Sequence, residues 1–170
     1  MDDQRKKIEQ TTFEILQKYN DSKDSCVDIV KIARNMGFTV CEADFNDETE
    51  SFVVTDKNKI NFSGIYANKI ICVNGDLSWI HERVAIAREL GYALNNSDKE
   101  CFIHKTYKND KKDIDSFAVS LLIPADKLIR ENEGLLKLDL DFSERTKILA
   151  HKLGVTWIMM VYRFGELGIY

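Results

Sequence analysis

The sequence predicts an α+β fold, in which a small mixed or antiparallel sheet packs on helices and a helical region closes the C-terminal end. Apolar residues recur at helical spacing near both ends of the chain, β-branched and aromatic residues cluster in the middle third, and an unusually apolar helix follows that cluster. The chain has 170 residues, which suits a single domain over 1–170 with 142–170 as a C-terminal helix pair.

The N-terminal part predicts two helices and a strand. The first helix covers Asp3–Tyr19, because one apolar stripe runs along it at three-and-four spacing. The stripe consists of Ile8, Thr12, Ile15, Leu16 and Tyr19. Ser25 is of a type that caps a helix N-terminus, and Gly37 suits a left-handed C-terminal cap, so they bound the second helix. Residues 38–41 follow as a strand.

The middle third predicts short strands and then the most apolar helix. Strands are expected at 51–55, near 62–66 and at 70–73, with residues 56–59 as a turn because of their polar, turn-forming composition. Ser78 caps the helix that follows, from Trp79 to residue 94. A helix with this much apolar surface and one embedded glutamate belongs at the centre of the fold.

The last part of the chain predicts a loop followed by helices. Pro124 separates two of them, because its ring disfavours helical geometry at the preceding residue and suits a new helix start. The predicted segments are a polar loop at 95–112 and helices at 113–122, 125–131, 143–152 and 157–164. Gly154, Val155 and Thr156 form the turn between the last two.

Composition narrows the classes of function. The formal net charge is -4, and no basic stripe is present, so the sequence does not favour nucleic acid as a partner. No apolar run is long enough to cross a membrane and no signal peptide is recognisable, so a cytoplasmic location without membrane contact is expected. The four widely spaced cysteines predict reduced, mostly buried thiols: Cys26, Cys41, Cys72 and Cys101.

Residues 88–92 of the apolar helix read Arg-Glu-Leu-Gly-Tyr. A zinc peptidase helix carries H-E-x-x-H, in which two imidazoles one turn apart hold the ion and the glutamate activates a water. Glu89 keeps the glutamate, whereas Arg88 and Tyr92 stand at the two histidine positions. Arginine has no lone pair to offer a cation. The pattern therefore predicts a peptidase helix without its metal ligands.

Three segments in series resemble the ImmA/IrrE family of zinc-peptidase-like proteins. They are Ile-Cys-Val-Asn at 71–74, the helix at 83–92, and Phe-Ala-Val-Ser-Leu-Leu-Ile-Pro at 117–124. The resemblance implies a zincin-like fold. It also implies a third ligand, a glutamate, about two turns before Phe117, a position that falls on Lys111, or on Asp113 if the register shifts by two. Lysine does not ligate a metal, so no cofactor is expected.

The substitutions suggest what replaced the metal. The Arg88 guanidinium would place a positive charge close to the former ion position. Burying an unpaired charge costs several kcal/mol, so we expect Arg88 to pair with Glu89, Asp113 or Asp115. Tyr92 would fill volume beside it. His81 lies seven residues before Arg88 and is the one feature favouring a metal. The other histidines, His104 and His151, lie at no ligand spacing and are expected at the surface or its boundary.

Three functions follow from these observations. The first is a catalytically inactive family member that acts as a regulatory or protein-binding module, with a repressor-type regulator on a phage or mobile element as the kind of partner that the resemblance implies. The second is a helix–turn–helix DNA-binding regulator built on residues 149–164, although its second helix offers only Arg163 to a groove. The third is an active zinc metallopeptidase with atypical ligands, which requires bound zinc.

Overall fold

The computed structural model describes residues 3–20, 26–45, 47–107 and 115–169. Within them the chain forms seven helices and a four-stranded sheet. In chain order they are α1 (Asp3–Tyr19), α2 (Ile29–Asn35), β1 (Thr39–Ala43), β2 (Thr49–Phe62), β3 (Ile65–Asn74), α3 (Trp79–Asn95), β4 (Cys101–Tyr107), α4 (Ser116–Leu122), α5 (Ala125–Leu135), α6 (Phe142–Leu153) and α7 (Trp157–Leu167). The predicted α+β class, with a mixed sheet and a helical C-terminal region, is confirmed.

The described residues fall into two compact units. Those within 1–28 and 114–170 form a helical unit, and those within 29–113 form a sheet unit that carries α2, α3 and all four described strands. The single domain predicted over 1–170 stays a prediction. Among the described residues, no helix combines the length and the apolar character that crossing a membrane requires.

The sheet has the strand order β1-β3-β2-β4. β1 pairs with β3 in parallel, while β2 is antiparallel to both β3 and β4, so β1 and β4 are the edge strands. α3 packs across β2 and β3. Because side chains alternate along a strand, one face of the sheet meets this helix with every second residue.

The turn predicted at residues 56–59 is wrong. β2 runs through these residues, and the hairpin instead turns at Ser63 and Gly64, whose φ angles are 48° and 85°. Two successive residues with positive φ suit a two-residue hairpin loop. Turn chemistry still acts at the predicted place, since the Asp56 carboxylate accepts the Asn58 N–H at 2.7 Å, but it shapes a bulge in β2 rather than a chain reversal.

The polar loop predicted at 95–112 contains a strand, β4, at Cys101–Tyr107. Its side chains alternate in exposure: the even-numbered residues 102, 104 and 106 are half-buried or buried, and the odd-numbered ones are exposed. The exposed face carries Ile103 and Tyr107, while the covered face includes His104 and Thr106, so hydrophobicity does not alternate with exposure. The available signal was the run of aromatic and β-branched residues, which favours a strand.

The helix boundaries largely follow the prediction. α1 covers the predicted residues, and Ser78 caps α3 as expected, its hydroxyl accepting the His81 N–H. Gly37 follows α2 with φ of 87°, as a left-handed position requires. Ser25, the predicted cap of α2, lies outside the described residues. The described part of the helix before Pro124 begins at Ser116, with Asp115 as its N-cap.

Candidate functional site

The site centres on Glu89, in the middle of α3. The helix buries nine of its residues, including Glu89, whose exposed fraction is 0%. A carboxylate with no contact to water needs hydrogen-bond donors from the protein, since an unpaired buried charge costs several kcal/mol. The neighbouring strands provide these donors.

Three side chains donate to Glu89. The Ser51 and Thr106 hydroxyls each lie 2.7 Å from its Oε1, and His104 Nδ1 lies 2.9 Å from its Oε2. A carboxylate has no hydrogen to give, so the imidazole donates from Nδ1. Oε1 thus accepts two hydrogen bonds and Oε2 accepts one.

Strand register brings these donors together. Ser51 on β2 is the pairing partner of Thr106 on β4, and two residues further along β2, Val53 pairs with His104. Partners in adjacent strands share a face of the sheet, as do residues two apart along one strand. All three donors therefore project from the face of the sheet that α3 covers.

Arg88 pairs with Glu50 on β2. Its Nη1 lies 3.3 Å from Glu50 Oε1, and the two side chains are 17% and 20% exposed. The predicted pairing of Arg88 with a carboxylate is therefore found, but the named partners were wrong for the described residues: Glu89 bonds to Ser51, Thr106 and His104, and Asp115 caps α4.

A bulge in β2 explains how Glu50 reaches Arg88. Thr49 pairs with Tyr107 and Ser51 with Thr106, so Glu50 is an extra residue opposite a single step of β4. In a regular strand, Glu50 and Ser51 would point to opposite faces of the sheet. The bulge re-aims one of them, and both side chains contact α3.

Tyr92 stacks on His104. The two ring centroids are 3.8 Å apart and the planes differ by 27°. His104 was expected at the surface or its boundary, and its side chain is 24% exposed. Its hydrogen bond to Glu89 and its packing against Tyr92 were not predicted. The strand β4 was missed, and a histidine assigned to a loop has no predictable neighbours.

The remaining predicted residues do not join this group. Lys111 and Asp113 lie outside the described residues. His81 is exposed, and its ring nitrogen lies 2.7 Å from the Ser78 hydroxyl at the start of α3, the place of a first-turn polar residue. His151 is exposed on α6.

The residues at the two positions where the peptidase motif carries histidines do not fit a zinc ion. The Arg88 guanidinium has no lone pair and is paired with Glu50, and the Tyr92 ring lies flat against His104. Throughout the described ranges, no group of three or more histidine, cysteine, aspartate or glutamate side chains could hold a metal ion. This donor set supports no step through a metal.

The Glu89–His104 pair also resembles the carboxylate–imidazole pair that orients a general base in hydrolases. Such a base needs a nucleophile within hydrogen-bond reach. Here the two nearby hydroxyls, Ser51 and Thr106, donate to Glu89 itself, and both side chains are buried.

A central helix with a buried glutamate between Arg88 and Tyr92, packed on a mixed sheet, defines a zincin-like, peptidase-like domain. The sequence model of the IrrE N-terminal-like domain family matches residues 33–164. The chain belongs to this family, as its motifs predicted. No curated protein matches the chain.

Proposed function

We propose that this chain is a catalytically inactive member of its family that acts as a regulatory module by binding a protein or peptide. The observation that carries the proposal is the state of Glu89. A metal-dependent peptidase needs this carboxylate to take a proton from a water. Here both lone pairs of Oε1 accept hydroxyl hydrogens, Oε2 accepts the imidazole hydrogen, and the residue has no exposed surface.

The Arg88–Glu50 pair supports the same conclusion. It places a permanent cation and its counter-charge at the first ligand position. A dication brought next to a guanidinium would meet direct repulsion, which is large at partial burial. The active peptidase with atypical ligands would therefore need ligands from outside this group of residues.

Metal content tests inactivity. Purified protein is incubated with zinc, dialysed and measured by elemental analysis, beside a variant that carries Arg88→His and Tyr92→His. We expect far less than one zinc per chain in the wild type, and increased zinc in the variant if the third ligand position is competent. One tightly held zinc per wild-type chain, together with peptide cleavage that a chelator abolishes, would refute the proposal.

Binding without cleavage tests the regulatory role. The purified protein is mixed with a purified repressor-type regulator from the same genome. The complex is followed by calorimetry, and the length of the repressor by gel electrophoresis. We expect a complex with intact repressor, and weaker binding for Arg88→Ala if the former cleft is the docking surface. Lys137→Ala, at an exposed position of the helical unit, is the control. No complex, or a shortened repressor, would contradict the proposal.

The helix–turn–helix alternative finds no support in the described residues. Arg163, the one basic residue of α7, has an exposed fraction of 0%; its Nε donates to the Ile123 carbonyl at 3.0 Å and its guanidinium pairs with Glu9. The exposed side chains at the start of α7 are Trp157 and Ile158. A helix that reads a groove presents donors and cations there instead.

A further inference from the structure

Two thiols lie side by side in the sheet unit. Cys41 on β1 and Cys72 on β3 are direct pairing partners of the parallel ladder, although 30 residues separate them in the chain. The Cys41 thiol donates to the carbonyl of Ile71, the residue before Cys72 in the chain, at 3.7 Å. Cys72 pairs with Phe52 on β2, and Phe52 and its neighbour Ser51 point to opposite faces of the sheet. The two cysteines therefore lie on the face opposite to Ser51.

The two thiols differ in access. β1 is an edge strand, and Cys41 on it is half-buried, whereas Cys72 lies in the interior of the sheet with an exposed fraction of 0%. A small oxidant can therefore reach one sulfur, and the other is held beside it. Redox-sensitive cysteines are commonly accessible thiols placed next to a second, resolving thiol.

The pKa values of the two thiols also differ, and the more accessible thiol, Cys41, has the lower pKa. The hydrogen bond from Cys72 lowers the pKa of Cys41 by more than burial raises it, while the hydrogen bond to Cys41 and burial raise the pKa of Cys72. The thiolate is the reactive form of cysteine. Cys41 is thus the nucleophile of the pair and Cys72 is the resolving thiol.

We propose that Cys41 and Cys72 form a peroxide-sensitive dithiol that closes to an intramolecular disulfide. Adjacent strands lie about 4.8 Å apart, within the roughly 4.4 to 6.8 Å between Cα atoms that a disulfide spans. The bridge therefore needs rotation of two side chains and little movement of the strands. Disulfides in reducing compartments are usually transient and either catalytic or redox-sensing.

The reaction takes two steps. The Cys41 thiolate attacks one oxygen of hydrogen peroxide, the O–O bond breaks, and the departing hydroxide takes a proton to become water, which leaves a sulfenic acid on Cys41. The Cys72 sulfur then attacks the Cys41 sulfur, the S–O bond breaks, and the hydroxyl leaves as water with the Cys72 proton. Two thiols and one peroxide give one disulfide and two waters.

The other two cysteines serve as internal controls. Cys26 donates to the Lys152 carbonyl at 3.2 Å, in the helical unit. Cys101 is exposed on β4, and a hydrogen bond to Asp56 raises its pKa, so that less of it is thiolate. Exposure alone would make Cys101 react first, whereas the proposed dithiol makes Cys41 react first.

Thiol mapping of the full chain tests the proposal. Reduced protein receives a slight excess of hydrogen peroxide, is quenched and alkylated, and its peptides are identified by mass spectrometry with and without dithiothreitol. We expect two of the four thiols to lose reactivity together, a linked peptide pair containing Cys41 and Cys72 that is two hydrogens lighter, and recovery on reduction.

Variants sharpen the result. Cys26→Ser with Cys101→Ser should keep the link, and Cys41→Ser should abolish it while Cys72 stays alkylatable after unfolding. Oxidation confined to Cys101 or Cys26, or Cys41 that passes to sulfinic acid without a link, would overturn the proposal. The wild-type map decides between these outcomes even if a variant fails to fold.

Discussion

Glu89 is held by donors from two strands, Ser51 on β2 and both His104 and Thr106 on β4. Hydrogen bonds to a charged group contribute about 1.5 to 3 kcal/mol each. These hydrogen bonds link Glu89 on α3 to the sheet. Replacing Glu89 should therefore lower the free energy of unfolding.

Substitution of Glu89 tests this role at the scale of one residue. Glu89→Ala leaves a cavity and three donors without an acceptor, and should lower the free energy of unfolding by about 3 kcal/mol or more. Glu89→Gln keeps the volume and an acceptor oxygen for Ser51 and Thr106, and should cost about 1 kcal/mol. Urea unfolding of the two variants measures the difference.

The comparison of alanine with glutamine is its own control, because both remove the charge and only one removes the acceptor. Equal and small losses for the two variants would mean that the three hydrogen bonds contribute little to the fold. A change in the urea dependence rather than in the midpoint would indicate an altered unfolded or native state instead.

The β2–β3 hairpin is the element whose strand and turn positions were predicted least accurately from the sequence. Its strands pair from Phe62 and Ile65 at the tip, and an irregular stretch separates the Ile60–Ala67 pair from the Thr55–Lys69 pair. Asn68 fits this irregularity, since its amide donates to the carbonyls of Asp56 and Lys57 at 3.2 and 2.8 Å. Side-chain hydrogen bonds thus replace ladder bonds where the strand bulges.

Two glycines give a matched test of backbone conformation. A Cβ at Gly64 or Gly134 would meet nothing within 4 Å, but Gly64 has φ of 85° and Gly134 is helical, in α5. Gly64→Ala should therefore destabilise by about 1 kcal/mol, and Gly134→Ala should stabilise by up to about 1 kcal/mol. Chemical denaturation of both variants measures these opposite signs, and a stabilising Gly64→Ala would contradict the assigned turn.

At the scale of the whole molecule, the first and last described helices, α1 and α7, meet within the helical unit. Arg163 on α7 pairs with Glu9 on α1, 154 residues away, and its Nη1 also lies 3.1 Å from Glu166. The guanidinium is fully buried, while Glu9 is 23% exposed. This ion pair makes the stability of the helical unit depend on pH.

The direction of this pH dependence follows from the pKa of Glu9. Burial raises the pKa of its carboxyl, but the hydrogen bond and the charge of Arg163 outweigh it, and the net pKa is below the ordinary value of 4.5. A carboxyl with a depressed folded pKa contributes stability above its unfolded pKa, and that stability is lost as the pH falls through the folded value. The contribution is therefore complete near neutral pH and disappears below the ordinary value.

Glu9→Gln should consequently destabilise the protein at neutral pH, and the difference from wild type should shrink on acidification. Because Glu9 is partly exposed and Glu166 stays beside Arg163, the loss should be about 1 kcal/mol at pH 7. Unfolding at about pH 7 and about pH 3 measures it. Glu133→Gln, at an exposed position of α5, is the control and should change little at either pH. A stability difference between Glu9→Gln and wild type that grows on acidification would contradict the lowered pKa of Glu9.

The sequence by itself determined the fold class, most helix boundaries and the residue types at the motif positions. These features are local: helical periodicity, capping residues and the types of side chain at positions 88, 89 and 92 are present in the chain before it folds. The three motif segments at 71–74, 83–92 and 117–124 are equally local, and they sufficed to predict the family.

Only the tertiary structure decided which residues surround Glu89. Ser51, Glu50, His104 and Thr106 come from two strands, and their meeting depends on register and on a one-residue bulge, which no local pattern encodes. The same is true of Cys41 and Cys72, which are distant in the chain and direct neighbours in the sheet. Strand pairing depends on packing between residues that are distant in the chain. Which residues of neighbouring strands pair is therefore fixed only when the sheet forms.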